Sequence, residues 1–124
     1  MAFLSFHQIS KAYPGVQALS EVSFSVAEGS CHALMGENGA GKSTLGKILA
    51  GIDVADGGAI HLRGEQIAPQ NPAEARALGI AMVHQELAFC PELTIAENLC
   101  LGSWPHRRGW VDRDALRDKA RRLL

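Results

Sequence analysis

The sequence is poor in cysteine, and what it has excludes a covalent framework. Cys31, Cys90 and Cys100 are odd in number and show no C-x-x-C spacing. That argues against a disulfide scaffold or a zinc site and fits a reducing compartment. No uncharged apolar stretch reaches the roughly 18 residues a membrane-spanning helix needs. The opening residues, Met1 to His7, lack both the basic region and the apolar region of a secretory signal. There is no internal repeat and no low-complexity tract. With 47% hydrophobic and 20% charged residues, the composition is that of a folded globular chain rather than a disordered one. At 124 residues it fits one small domain or part of a larger one.

The net charge of −1 is unevenly spread: residues 1–106 hold 5 Lys/Arg against 10 Asp/Glu, and residues 107–124 hold 7 against 3. A basic end of this kind suits phosphate or anionic lipid, but it is more simply a solvated helix face.

The hydrophobic pattern predicts a strand over Phe3–Ile9, a turn at Tyr13-Pro14-Gly15, and an alternating, half-buried strand through Val22, Phe24 and Val26. Glu28-Gly29 turns the chain into an apolar run, Cys31–Met35, read as a strand. Leu45, Ile48 and Leu49 stand at helical spacing, with Gly51 placed as the C-terminal cap. Ala59–Leu62 and Ile80–Val83 are read as further strands. Asn71-Pro72-Ala73-Glu74 carries a helix-start signature: a capping side chain, a proline suited to the first turn, and an acid that reaches back. Thr94 to Glu97 repeats the capping box, and Asp112 caps a last helix with Leu116, Ala120, Leu123 and Leu124 along one face.

The chemistry is concentrated in one stretch. Gly36-Glu37-Asn38-Gly39-Ala40-Gly41-Lys42-Ser43 matches G-x-x-x-x-G-K-(S/T), with an apolar run before it and an amphipathic helix after it. Gly36, Gly39 and Gly41 let the backbone curl so that its N–H groups face inward on an anion. The helix that follows adds the positive end of its dipole. Lys42 is then the group for the β- and γ-phosphates, and the Ser43 hydroxyl is a ligand for Mg2+. The loop does not say which nucleotide it holds. A base-reading N-K-x-D motif of the guanine-specific kind is absent.

Three runs carry a family resemblance: Cys31 to Gly51, Gly79 to Leu87, and Leu93 to Gly102. Together they closely resemble ABC ATPases. With Lys11-Ala12-Tyr13-Pro14-Gly15-Val16-Gln17-Ala18-Leu19, the wording looks like the ATP-binding subunit of monosaccharide importers for ribose, galactose, xylose and related sugars. The resemblance implies an α/β P-loop NTPase fold, with an antiparallel β subdomain and part of a RecA-like core. It implies ATP and Mg2+ as ligands, held by Tyr13 and the run Gly36, Glu37, Asn38, Gly39, Ala40, Gly41, Lys42, Ser43 and Thr44. Tyr13 sits where the family's aromatic residue stacks on adenine. Gln85 matches the family's Q-loop glutamine, which joins the Mg2+ and attacking-water shell and senses the membrane subunit. Lys42 and Gln85 are thus the catalytic candidates, and Ser43 and Gln85 the metal candidates.

Other parts of the family's machinery are absent from these 124 residues: the signature motif, the Walker B strand with its Asp-Glu, and the switch histidine. The expectation is therefore that residues 1–124 form the N-terminal part of one nucleotide-binding domain, inactive in hydrolysis by itself. The resemblance further implies membrane permease subunits and a second ATPase cassette as partners. It implies no nucleic acid, no membrane span, and a peripheral place on the cytoplasmic face of the cell membrane. A nucleotide-binding piece without turnover, or an ABC protein that does not serve transport, are the alternatives. The sugar is not legible, because in this family the permease and binding protein select it.

Overall fold

The computed structural model describes residues 2–39, 41–84 and 89–124. They fall into two compact units, residues 1–83 and 84–124.

The first unit is built on a four-stranded antiparallel sheet. Strands β1 (Leu4–Tyr13) and β2 (Val16–Val26) form a hairpin. Pro14 and Gly15 close it, with Gly15 at φ 78° as the second central residue of the turn requires. Strand β3 (Gly57–Leu62) pairs with the other edge of β1, and β4 (Glu65–Ile67) pairs with β3, giving the order β2-β1-β3-β4. The β1 ladder is interrupted between Phe6 and Ile9, where Gln8 takes φ 50°. The freed Gln8 N–H donates to Ser23 Oγ at 2.8 Å, so the bulge leaves no orphan donor there. Helix α1 (Lys42–Leu49) turns Leu45 and Ile48 onto the sheet. There they join Phe6, Ile9, Leu19 and Ile60 in one buried cluster, with the Phe6 and Phe24 rings stacked at 4.7 Å.

Helix α1 stops at Ala50, and Gly51 follows in the left-handed region at φ 69°, as the sequence pattern predicts. A side chain at Gly51 has no room either, since a Cβ would meet Asn71 O at 2.4 Å. The backbone of Asn71 thereby sits directly on the end of α1. Asn71 also caps helix α2 (Pro72–Ala77), accepting from the Glu74 N–H at 3.0 Å. Glu74 reaches back to the Gln70 N–H at 2.8 Å and the Asn71 side-chain amide at 2.7 Å.

Two expected strands are not formed. Cys31–Met35 and Ile80–Val83 carry no strand pairing. Met35 is 91% exposed and Val83 96% exposed. A strand exists only where a neighbour accepts and donates its ladder. Among the described residues every strand pair is antiparallel and lies elsewhere.

The second unit holds helix α3 (Ile95–Leu99), a short hairpin of β5 (His106–Arg107) and β6 (Trp110–Val111), and helix α4 (Arg113–Leu123). The capping box at Thr94 and Glu97 is complete, and its two Thr94 donors, the backbone N–H and the hydroxyl, hold the Glu97 carboxyl below its usual range. Asp112 caps α4 by accepting from the Ala115 N–H at 3.0 Å. Leu116 and Ala120 are buried with Cys100, but Leu123 and Leu124 are exposed. The apolar face of α4 thus ends earlier than the sequence pattern predicts.

Replacing Asn71 by Ala removes the side-chain acceptor for the Glu74 N–H and frees the Glu74 carboxylate from one partner. Asn71→Ala should lower stability by about 1 kcal/mol, read as a shift in the denaturant midpoint at constant slope.

Candidate functional site

The glycine-rich loop lies on the first unit, between the end of the Cys31–Met35 run and α1. Gly39 and Gly41 take φ 87° and 86°, a region in which glycine is favoured. Gly36 keeps an ordinary φ and contributes differently, through its carbonyl. Gly41 is buried and is the N-cap of α1. A Cβ there would meet Ala18 O at 2.4 Å and Leu19 Cδ2 at 2.5 Å. The loop-to-helix junction is therefore pressed against the backbone of β2, and only a residue without a side chain fits.

Helix α1 has no side-chain cap and no acid in its first turn. Its first intrahelical bond runs from the Leu45 N–H to Gly41 O at 2.9 Å. The N–H groups of Lys42, Ser43 and Thr44 precede that bond, so they carry the helix's unshared donors and the positive end of its dipole. An anion is the natural partner for such an end. The Lys42 ammonium folds back over the loop, donating to Gly36 O at 2.5 Å and Glu37 O at 2.7 Å. The cation thus stands over the same loop whose helix end lacks an acceptor, and Ser43 is exposed beside it.

The structure therefore brings Gly36, Glu37, Gly41 and Lys42 into one contact set, with Ser43 and Thr44 on the first turn of α1. Glu37, Asn38 and Gly39 are exposed along the loop. Ala40 and Gln85 lie outside the described residues. Tyr13, at the end of β1, is 38% exposed. Its hydroxyl donates to Asp53 Oδ2. That bond raises the phenol's pKa, burial raises it further, and the Thr44 hydroxyl pulls the other way.

Three residues here escaped sequence reasoning: Lys11, Asp53 and Asp56. Lys11 Nζ lies 2.9 Å from Asp53 Oδ1 and 3.5 Å from Asp56 Oδ1. Tyr13 first, then Lys11 and the Val54 N–H, hold the Asp53 carboxyl at about 2. No local spacing signals such a cluster, because its members come together from positions some forty apart in the chain.

A buried, side-chain-free junction, a helix end without an acceptor and a lysine over the loop define a P-loop nucleotide-binding protein. The family model described as ABC transporter matches residues 19–124. The chain belongs to the ABC transporter family. It is 51% identical over 123 residues to the arabinose import ATP-binding protein AraG of Chromohalobacter salexigens, covering 99% of this chain and 25% of that protein. It is 52% identical over 121 residues to an Agrobacterium fabrum protein designated for ribose/galactose/methyl galactoside import ATP binding, covering 98% and 24%. The chain thus spans about a quarter of the length of these relatives. Among solved structures, a nucleotide-free ATP-binding cassette from an ABC transporter superposes with a TM-score of 0.75 at 33% identity, covering 96% of this chain and 46% of that one. An ATP-bound bacterial Atm1-family ABC exporter gives 0.69 at 30%, covering 85% and 18%.

Gly41→Ala forces a side chain into backbone at a left-handed position. It should cost about 2–5 kcal/mol, measured by denaturant unfolding. The Asp53 carboxylate sets a second expectation. Its folded pKa is depressed from 3.8 to about 2, so its contribution is complete above the unfolded value and is lost as pH falls through the folded one. Carbon NMR of the Asp53 carboxyl should titrate in that acid window and remain flat from there to neutrality.

Proposed function

We propose that this chain supplies the nucleotide-gripping part of the ATP-binding subunit of a sugar importer, and that in the whole protein ATP hydrolysis drives carbohydrate uptake through a membrane permease. The observation that carries this reading is the junction at Gly41, where a helix N-terminus without an acceptor meets a lysine already held over the loop. The import designations of the relatives support the choice of sugar transport. In this reading residues 1–124 are the N-terminal part of one cassette, with a second cassette and permease subunits as partners on the cytoplasmic face of the membrane. Among the described residues, no helix is long and apolar enough to cross a membrane.

The loop fits a polyphosphate. The N–H groups of residues 42–44 and of the curled backbone at Gly39 and Gly41 would donate to its oxygens, and Lys42 would exchange the Gly36 and Glu37 carbonyls for them. Mg2+, when it enters with ATP, neutralises phosphate charge. Ser43 would hold it through its hydroxyl, with Gln85, on the family resemblance, as a further ligand. Tyr13 offers its ring to the adenine, and the other residues of the loop, Glu37, Asn38 and Ala40, contribute backbone. These groups bind and orient; a carboxylate to polarise the attacking water is not among them. The 124 residues by themselves hold nucleotide without turning it over.

Lys42→Ala removes the cation held over the loop and should abolish Mg-ATP binding; unchanged affinity by isothermal titration would refute the assignment. Tyr13→Ala should weaken ATP by about 1–3 kcal/mol, and Tyr13→Phe, which keeps the ring, should lose clearly less. Phosphate release by residues 1–124, with Lys42→Ala as the contamination control, should stay at background. Turnover that disappears in the control would show that the missing carboxylates are dispensable.

A further inference from the structure

We propose that Asp53, braced by Lys11, is a positioning residue that fixes the Tyr13 ring in the attitude needed for a nucleobase to stack on it. The inference rests on the reading of Tyr13 as the base platform.

An aromatic side chain at the end of a hairpin can swing on two torsions. If it swings, each binding event must order it, and that cost is subtracted from the stacking energy. Tyr13 is tied instead. Its hydroxyl donates to Asp53 Oδ2, while Asp53 Oδ1 accepts from the Val54 N–H at 2.8 Å and lies 2.9 Å from Lys11 Nζ. Lys11 Nζ also donates to Val54 O at 2.8 Å and stands 5.3 Å from the centre of the Tyr13 ring. One residue beyond Lys11, the Ala12 N–H donates to Asp56 Oδ2 at 2.7 Å, and the Asp56 N–H donates to Ser10 O at 2.9 Å. The 53–56 loop is thus stitched to both backbone and side chains at the end of β1.

That loop is in turn continuous with the phosphate site. The Ile52 and Asp53 N–H groups donate to Lys47 O, at 2.9 and 3.3 Å, on the last turn of α1. One short helix therefore carries the anion-binding end at its start and the Tyr13 anchor just past its finish. The distance from phosphate grip to ring is set by that helix rather than by a free side chain.

Stability alone does not account for the cluster. The Lys11 and Asp53 side chains are only 13% and 26% exposed, and beyond any contribution to folding their charge-assisted hydrogen bonds are directional. At neutral pH the phenol is a donor and the carboxylate is charged, and each moves the other's pKa further in that sense. Tyr13 as a residue remains 38% exposed, so anchoring does not bury it.

The test is a double-mutant cycle on ATP affinity with inorganic tripolyphosphate as the base-free probe. Asp53→Ala should weaken ATP about threefold to tenfold, leave tripolyphosphate unchanged, and have no further effect in the Tyr13→Phe background. Tyr13→Phe breaks the same bond without disturbing Lys11 or Val54, so it should show a similar loss and serves if Asp53→Ala folds poorly. Tyr13 is the single tyrosine of the sequence, so its phenolate absorbance is a direct readout: the titration should move to lower pH in Asp53→Ala. Equal losses for ATP and tripolyphosphate would mean a general folding defect and overturn the inference. So would an ATP affinity indifferent to Asp53→Ala while Tyr13→Ala is impaired, though the stacking reading would then stand. If Tyr13→Ala itself leaves ATP unaffected, the stacking reading fails and the inference with it.

Discussion

The structure depends on a close approach between two backbones. At Gly41 the chain passes within contact of the Ala18 carbonyl and the Leu19 side chain, with no space for even a methyl group. That approach seats the start of α1 against β2. Leu45 and Ile48 can then reach the cluster formed by Phe6, Ile9, Leu19 and Ile60. Burial of those side chains holds the helix; the glycine decides where along the sheet it is held. Because the same residue is the N-cap, the position that makes packing possible also leaves the first N–H groups without a side-chain acceptor. Packing and anion binding are two consequences of one missing Cβ.

The lysine is tied to the loop it stands over. A flexible ammonium needs partners, and Lys42 finds them in the carbonyls of Gly36 and Glu37. These are neutral acceptors, so the bonds they make are weaker than those a phosphate offers. Exchange is favourable, yet the lysine is confined to the loop beforehand and loses less freedom on binding. The loop and its cation organise each other.

What was legible in the sequence was local. The caps at Asn71, Thr94 and Asp112 and the glycine stops after α1 and α2 follow from residues within four positions of each other, and the structure forms them. The P-loop is legible for the same reason, because its glycines, lysine and hydroxyl are consecutive. Two hairpins were missed although a local signal existed: Arg63-Gly64 and Arg108-Gly109 both take positive φ at two central residues, the requirement of a tight two-residue turn. The Lys11–Asp53–Tyr13 cluster had no such signal, since sequence patterning sees neither end of a contact across forty residues. Ala40 and Gln85, both expected at the site, lie outside the described residues. Gln85 therefore rests on the family resemblance alone.

The two apolar runs that did not become strands follow from the same distinction. Alternation or apolarity selects residues able to form a strand, but pairing creates it, and pairing is non-local. Leu34 and Met35 before the loop, and Val83 before Gln85, expose side chains of the kind that sheets cover. Both runs flank positions proposed for the site: one leads into Gly36, the other toward Gln85 in the sequence. The solved cassette that superposes on nearly all of this chain is about twice its length, which leaves ample chain in such a cassette to pair with them. If it does, pairing would stiffen the entry to the phosphate loop and the approach to Gln85 in one step. The proposed grip on nucleotide is different in kind, because Lys42 and Tyr13 stand on α1 and β1, which already share one core with β2.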